Sequence, residues 1–190
     1  MALDINIQLS DKDLEHFIQG MNAAQEEAGD LDAAQITQSA RKLLEQGNQT
    51  ELPDFIASRL AKLNTMIDMA EDEGFALPDE DRQRVLAALT YFADPTDIIP
   101  DSVPVLGFLD DAIMIELCQR ELVHELAAYE EFDAWRSGEA AHRGVDTASL
   151  KLKRVDWAED RRAQAIQLMR ERRTRSYTSG AWQPVLFKTR

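Results

Sequence analysis

The stretch Asp94-Pro95-Thr96-Asp97-Ile98-Ile99-Pro100-Asp101-Ser102-Val103-Pro104-Val105-Leu106-Gly107-Phe108-Leu109-Asp110-Asp111 decides how this chain is read. Connecting segments usually run over the surface and are polar, because buried backbone needs hydrogen-bond partners. Here nine residues between Ile98 and Leu109 are Ile, Val, Leu, Phe or Pro. Pro95, Pro100 and Pro104 fix φ and push the residue before each towards extended geometry. The pattern predicts a stiff turn packed inside the molecule. Such a turn leaves amides that need acceptors. Asp97 and Asp101 are placed to supply them. Asp110 and Asp111 fall in the opening turn of the next helix, where free amides and the positive dipole end favour a carboxylate. Structural capping of this kind is the preferred reading of all four acids. The alternative is a hard cation, Mg²⁺ or Ca²⁺, held by Asp97, Asp101, Asp110 and Asp111 with Asp94 beside them. Such ions take oxygen ligands, and crowded carboxylates repel unless something neutralises them. The spacing does not follow the calcium-loop pattern.

Outward from this turn the chain reads as helix. Ser10 with Asp13 resembles a capping box, and Leu14, Phe17, Ile18 and Met21 follow at helical spacing. A second helix is expected from about Asp32 to Gln46, with Ile36, Ala40, Leu43 and Leu44 inward. A third starts near Pro53, whose missing amide suits a first turn, and closes at Gly74. A fourth begins at Pro78 with Asp79, Glu80 and Asp81 in its first turn. A fifth is expected as one long helix from Phe108 to Trp135, ended by Ser137-Gly138. Residues 137–150 read as a linker, and a sixth helix covers about Val155 to Arg173. The apolar segment Trp182 to Phe187 would dock or pair as a strand. The expected fold class is therefore all-α, a bundle of about five to six helices with an Asp/Pro-rich helical hairpin. The expected divisions are residues 1–74 packing on the core, 75–136 as the hairpin domain, and 137–190 as linker and basic tail.

The run Pro95-x-Asp97-x-Ile99-Pro100-Asp101-x-x-Pro104-x-x-Gly107-x-x-Asp110-Asp111 resembles the signature of the YkvA-like family, a domain of unknown function; nine of its seventeen positions are fixed. The resemblance covers about residues 75–130 and leaves the N-terminal helices and the basic tail outside. It implies a small helical domain. It implies no reaction, substrate or cofactor.

Charge is divided unevenly along the chain. Residues 1–150 hold 10 Lys and Arg against 31 Asp and Glu, whereas residues 151–190 hold 11 against 4. A basic tail of Lys151, Lys153, Arg154, Arg161, Arg162, Arg170, Arg172, Arg173 and Arg175, with Tyr177 and Trp182 for stacking, would suit nucleic acid. Folding back onto an acidic body is the favoured reading, because that body repels phosphate. The case for nucleic acid is thus not strong. The single cysteine, Cys118, excludes a disulfide within the chain. It sits in an apolar run and reads as a buried thiol. No signal-like start and no uninterrupted apolar span is seen, so the expectation is a cytoplasmic protein without a transmembrane segment, with room left for a peripheral membrane contact. No nucleophile elbow, phosphate-binding loop or Cys-x-x-Cys occurs. No catalytic residue and no cofactor is assigned. The reading leans towards a non-catalytic interaction or scaffold protein with a protein partner that the sequence does not identify.

Overall fold

Helix-forming residues and spaced apolar positions are realised as seven α-helices among the described residues. A computed structural model describes residues 8–27, 31–93, 99, 103 and 106–178. The helices are α1 (Asp11–Glu27), α2 (Ala33–Asn48), α3 (Asp54–Glu71), α4 (Asp79–Leu89), α5 (Leu109–Glu121), α6 (Val123–Arg143) and α7 (Arg154–Thr178). Short 3-10 turns lie at Thr90–Ala93, Leu106–Phe108 and Thr147–Leu150. Among the described residues there is no strand, and the fold is an all-α helical bundle. The segment Trp182 to Phe187 lies outside the described residues. The chain forms two compact units, residues 1–131 and 132–190.

In the first unit α3 is the central element. Ile56, Leu60, Leu63, Ile67 and Ala70 recur at helical spacing, and Met66 and Met69 widen that buried stripe in the second half of the helix. α2, α4 and α5 all pack against it. Each contributes its own stripe: Ile36, Ala40 and Leu43 from α2, Val85, Ala88 and Leu89 from α4, and Met114, Ile115 and Cys118 from α5. The helix starts follow local chemistry. Ser10 and Asp13 make the expected box, with the Ser10 amide donating to Asp13 Oδ2 at 2.8 Å and the Asp13 amide to Ser10 Oγ at 3.4 Å. Asp32 and Gln35 make a second, reciprocal box at the start of α2, at 2.8 and 2.9 Å. Arg41 reaches Asp68 and Glu71 across α2 and α3, and Arg59 reaches Glu116 across α3 and α5. These pairs are half-exposed and each contributes at most about 1 kcal/mol, so apolar burial holds the unit together.

Between α3 and α4 the chain turns at Asp72. Its carboxylate accepts the amides of Gly74 at 2.7 Å and Phe75 at 3.0 Å, an Asx turn. The turn drops Phe75 into the core, edge-on to Tyr129 with ring centroids 5.1 Å apart.

Two boundaries differ from the sequence reading. The expected single helix from Phe108 to Trp135 is broken at Leu122, whose amide still bonds the Cys118 carbonyl. No Gly or Pro marks the break; Leu122 itself is buried. The second helix of that pair passes Ser137-Gly138 and runs to Arg143, into the stretch read as linker. Gly144 ends it in left-handed geometry, at φ 65°. The Val145 amide bonds Ala140 O and the Gly144 amide bonds Ala141 O, the double bond pattern of a Schellman cap. Gly138 ends nothing, since a glycine inside a helix costs only about 1 kcal/mol and stops it only if the chain then leaves helical φ and ψ.

In the second unit, the Phe132 ring meets the Trp157 ring edge-on at 6.2 Å, and Trp135 Nε1 donates to Asp160 Oδ2 at 3.0 Å. These contacts join the second half of α6 to the first turns of α7.

Phe75→Ala empties a core site and is expected to cost about 3–5 kcal/mol in urea unfolding. Phe55, 44% exposed under the Arg59 guanidinium, serves as the comparison, and Phe55→Ala is expected to cost under about 1 kcal/mol.

Candidate functional site

The site singled out by the sequence is the link between α4 and α5. α4 delivers the chain into the 3-10 turn Thr90–Ala93, where Tyr91 and Phe92 are buried edge-on to each other with centroids 5.4 Å apart. The far end re-enters through the 3-10 turn Leu106–Phe108, where the Gly107 amide bonds Val103 O at 2.9 Å. α4 and α5 touch at two levels. Cys118 Sγ lies 3.7 Å from Ala88 O, and Arg84 Nη2 donates weakly to Glu121 O at 3.5 Å. Arg84 also pairs with Glu125 of α6 at 2.6 Å.

Asp110 and Asp111 lie side by side in the first turn of α5, 2% and 5% exposed. Asp94, Asp97 and Asp101 lie outside the described residues. Asp110 Oδ2 accepts the backbone amide of Ile99 at 2.9 Å, closing a span of 11 residues. At the N-terminus of α5 the cap residue is Phe108, which makes no side-chain capping bond. The Asp110 carboxylate therefore serves an amide of the preceding turn, not the amides of its own helix. Oδ1 of Asp110 is buried and has no hydrogen-bond partner among the described residues. Also among the described residues, no group of three or more His, Cys, Asp or Glu is placed to hold a metal ion.

Two features were not singled out in the sequence. Asp72 accepts the Tyr129 hydroxyl at 3.3 Å as well as its two turn amides. Beside it lies an open groove of about 400 Å³, lined by Thr37, Glu71, Asp72, Leu77 and Arg82 among others. Arg82 is held there by a bond from Nε to Ala70 O at 3.2 Å. An Asp two residues before Gly74 is the sequence signal that could have located this turn.

Cys118 is 1% exposed. Burial pushes its thiol up from 9.0 to about 12. Only the thiolate is a good nucleophile or metal ligand, so this group is chemically quiet. The proton stays on in the folded state above the point where the unfolded chain loses it. Its contribution to stability is complete below about pH 9 and declines as pH rises from there towards 12.

The match to a known family falls on this same link. Residues 83–117 match the model of a family described as "Protein of unknown function (DUF1232)". A stretch of 50 residues is 44% identical to a Bacillus subtilis (strain 168) protein called "Uncharacterized membrane protein YkvA". That match takes in 26% of this chain, and the chain spans 44% of the length of the relative. No solved structure matches. No helix among the described residues is long and apolar enough to cross a membrane.

Cys118 is expected to be inert to a thiol reagent at about pH 8 in the folded protein and to react fully once the chain is unfolded in urea. Prompt reaction of the folded protein would contradict the burial.

Proposed function

We propose, from the likeness of residues 83–117 to a family of unknown function and of a 50-residue stretch to YkvA, that the chain is a non-catalytic interaction protein working at a membrane surface, with the α4–α5 segment as its structural core. The observation that carries the structural half is the bond from the Ile99 amide to Asp110 Oδ2. An acid committed to a backbone amide inside the protein is serving the fold. The one thiol is quiet as well. Support for the membrane half comes from the relative, which is called a membrane protein. With no spanning helix among the described residues, the contact proposed is peripheral.

A second reading has one specific observation in its favour. Oδ1 of the buried Asp110 lacks a hydrogen-bond partner among the described residues, and a hard cation is one way to satisfy such an oxygen. Thermal melts with Mg²⁺, Ca²⁺ and Mn²⁺ separate the two readings. The proposal expects no shift in the melting temperature. A rise that disappears in Asp110→Asn would favour the cation.

The structural half makes a prediction of its own. Asp110→Ala orphans the Ile99 amide and is expected to destabilise the fold by about 1–3 kcal/mol. Vesicle binding by the folded protein is expected to be unchanged. Unaltered melting together with lost vesicle binding would make Asp110 a binding residue and overturn the assignment.

A further inference from the structure

We propose that one face of α7, built from Arg161, Arg162, Leu168, Met169, Arg172 and Arg173, docks on the surface of an anionic lipid bilayer. The inference rests on the membrane-surface reading above and names the element that makes the contact.

α7 begins as an ordinary packed helix, with Trp157 against Phe132 and Asp160 holding Trp135. From Arg161 onward its character changes. Every residue from Arg161 to Arg175 is exposed except Ile166, which is partly covered. Leu168 and Met169 are 52% and 59% exposed. Arg162, Arg172 and Arg173 make no ion pair among the described residues. An exposed run of this kind, with two large apolar side chains in water and arginines beside them, lacks a structural explanation within the helix itself.

The arrangement around the helix is more informative than the composition. At 3.6 residues per turn, Arg161, Ala165, Leu168 and Arg172 line up along one face, with Arg162, Met169 and Arg173 next to them. The apolar pair sits at the middle of that face. Arginines stand at both ends, about 16 Å apart from Arg161 to Arg172 at 1.5 Å per residue. All four acids of α7, Asp156, Glu159, Asp160 and Glu171, lie more than about 100° round the helix from the centre of that face. Arg170 is on the acidic side, next to Glu171.

This segregation fits a target that occupies only one side of the helix. A bilayer surface is such a target. Its phosphates take the arginine guanidinium groups, and its acyl boundary takes Leu168 and Met169, with the arginine stems lying along the interface. A helix seated in a nucleic-acid groove has phosphates on two sides. That would bring some of the four acids near backbone phosphates and leave the apolar pair against polar base edges. Charge also sets the expected salt response. Residues 1–131 hold 28 Asp and Glu against 8 Lys and Arg, so attraction to an anionic surface must come from elsewhere in the chain, and salt must weaken it.

The test is flotation of the full chain with vesicles of phosphatidylcholine alone and with phosphatidylglycerol added, at low and high salt. A duplex DNA gel shift and an RNA gel shift run beside it. The wild type is expected to bind the phosphatidylglycerol vesicles, more weakly at high salt, and to leave pure phosphatidylcholine vesicles unbound. Arg172→Glu with Arg173→Glu is expected to lower that binding about tenfold or more. Leu168→Ser with Met169→Ser is expected to lower it several-fold. Helical circular dichroism and melting temperature are expected to stay at wild-type values in both variants, since the residues are exposed. Wild-type binding that both variants retain overturns the α7 assignment and leaves the membrane-surface reading standing. Failure of the wild type to bind either vesicle overturns both. Tighter binding to DNA or RNA than to phosphatidylglycerol vesicles, unaffected by the Leu168 and Met169 changes, overturns the lipid partner in favour of nucleic acid.

Discussion

A buried carboxylate that accepts a backbone amide is the constraint on which the α4–α5 segment depends. Ile99 and Val103, the described residues of the link between these helices, are half-buried, and covering a backbone amide strips it of water. Asp110 answers that cost at Ile99, from the first turn of the helix that follows. The bond couples two events that would otherwise be independent: formation of the α5 start and placement of the chain before it. It also puts a hidden acid, with buried Asp111 beside it, in a helix whose remaining inward residues, Ala112, Met114, Ile115 and Cys118, are apolar. α5 then meets α3, and through α3 the rest of the first unit.

This economy explains why an acidic chain carries acids at its centre without obvious chemistry. Burial of a charge is tolerated when hydrogen bonds reach it. Asp72 shows the same device at the α3–α4 turn, where one carboxylate takes two amides and a tyrosine hydroxyl and lets Phe75 into the core. In both places the sequence uses aspartate because its short side chain reaches nearby backbone. The two turns flank α4, so the family segment is pinned by an acid on each side of that helix.

The helices themselves were legible because their signals are local and repeated. The apolar spacing in α2 and α3, Pro53 and Pro78 just before helices, and the Ser10–Asp13 box each act within a few residues. The boundaries that misled are those set elsewhere. Leu122 interrupts α5 and α6 because the core claims its side chain, and no residue nearby announces that. Gly138 looked like a stop and was not one, while Gly144 was, because only Gly144 takes left-handed geometry. At the site, Asp110 and Asp111 could be named and their burial anticipated, since apolar neighbours and prolines point that way; Asp94, Asp97 and Asp101 lie outside the described residues. Which amide each would serve was not readable, because Ile99 and Asp110 are eleven residues apart and meet only in the fold. The α7 face was half visible. Its arginines stood out as a basic tail, but the sorting of acids to the far side appears only when the residues are wound onto a helix.

The most direct measurement of the central claim is amide hydrogen exchange at Ile99, followed by NMR in the wild type and in Asp110→Ala. A bonded, partly buried amide exchanges far more slowly than an unstructured one. The account predicts strong protection at Ile99 in the wild type and its selective loss in the variant, with the amides of α3 still protected. Fast exchange at Ile99 in the wild type, or equal protection in both proteins, would contradict it.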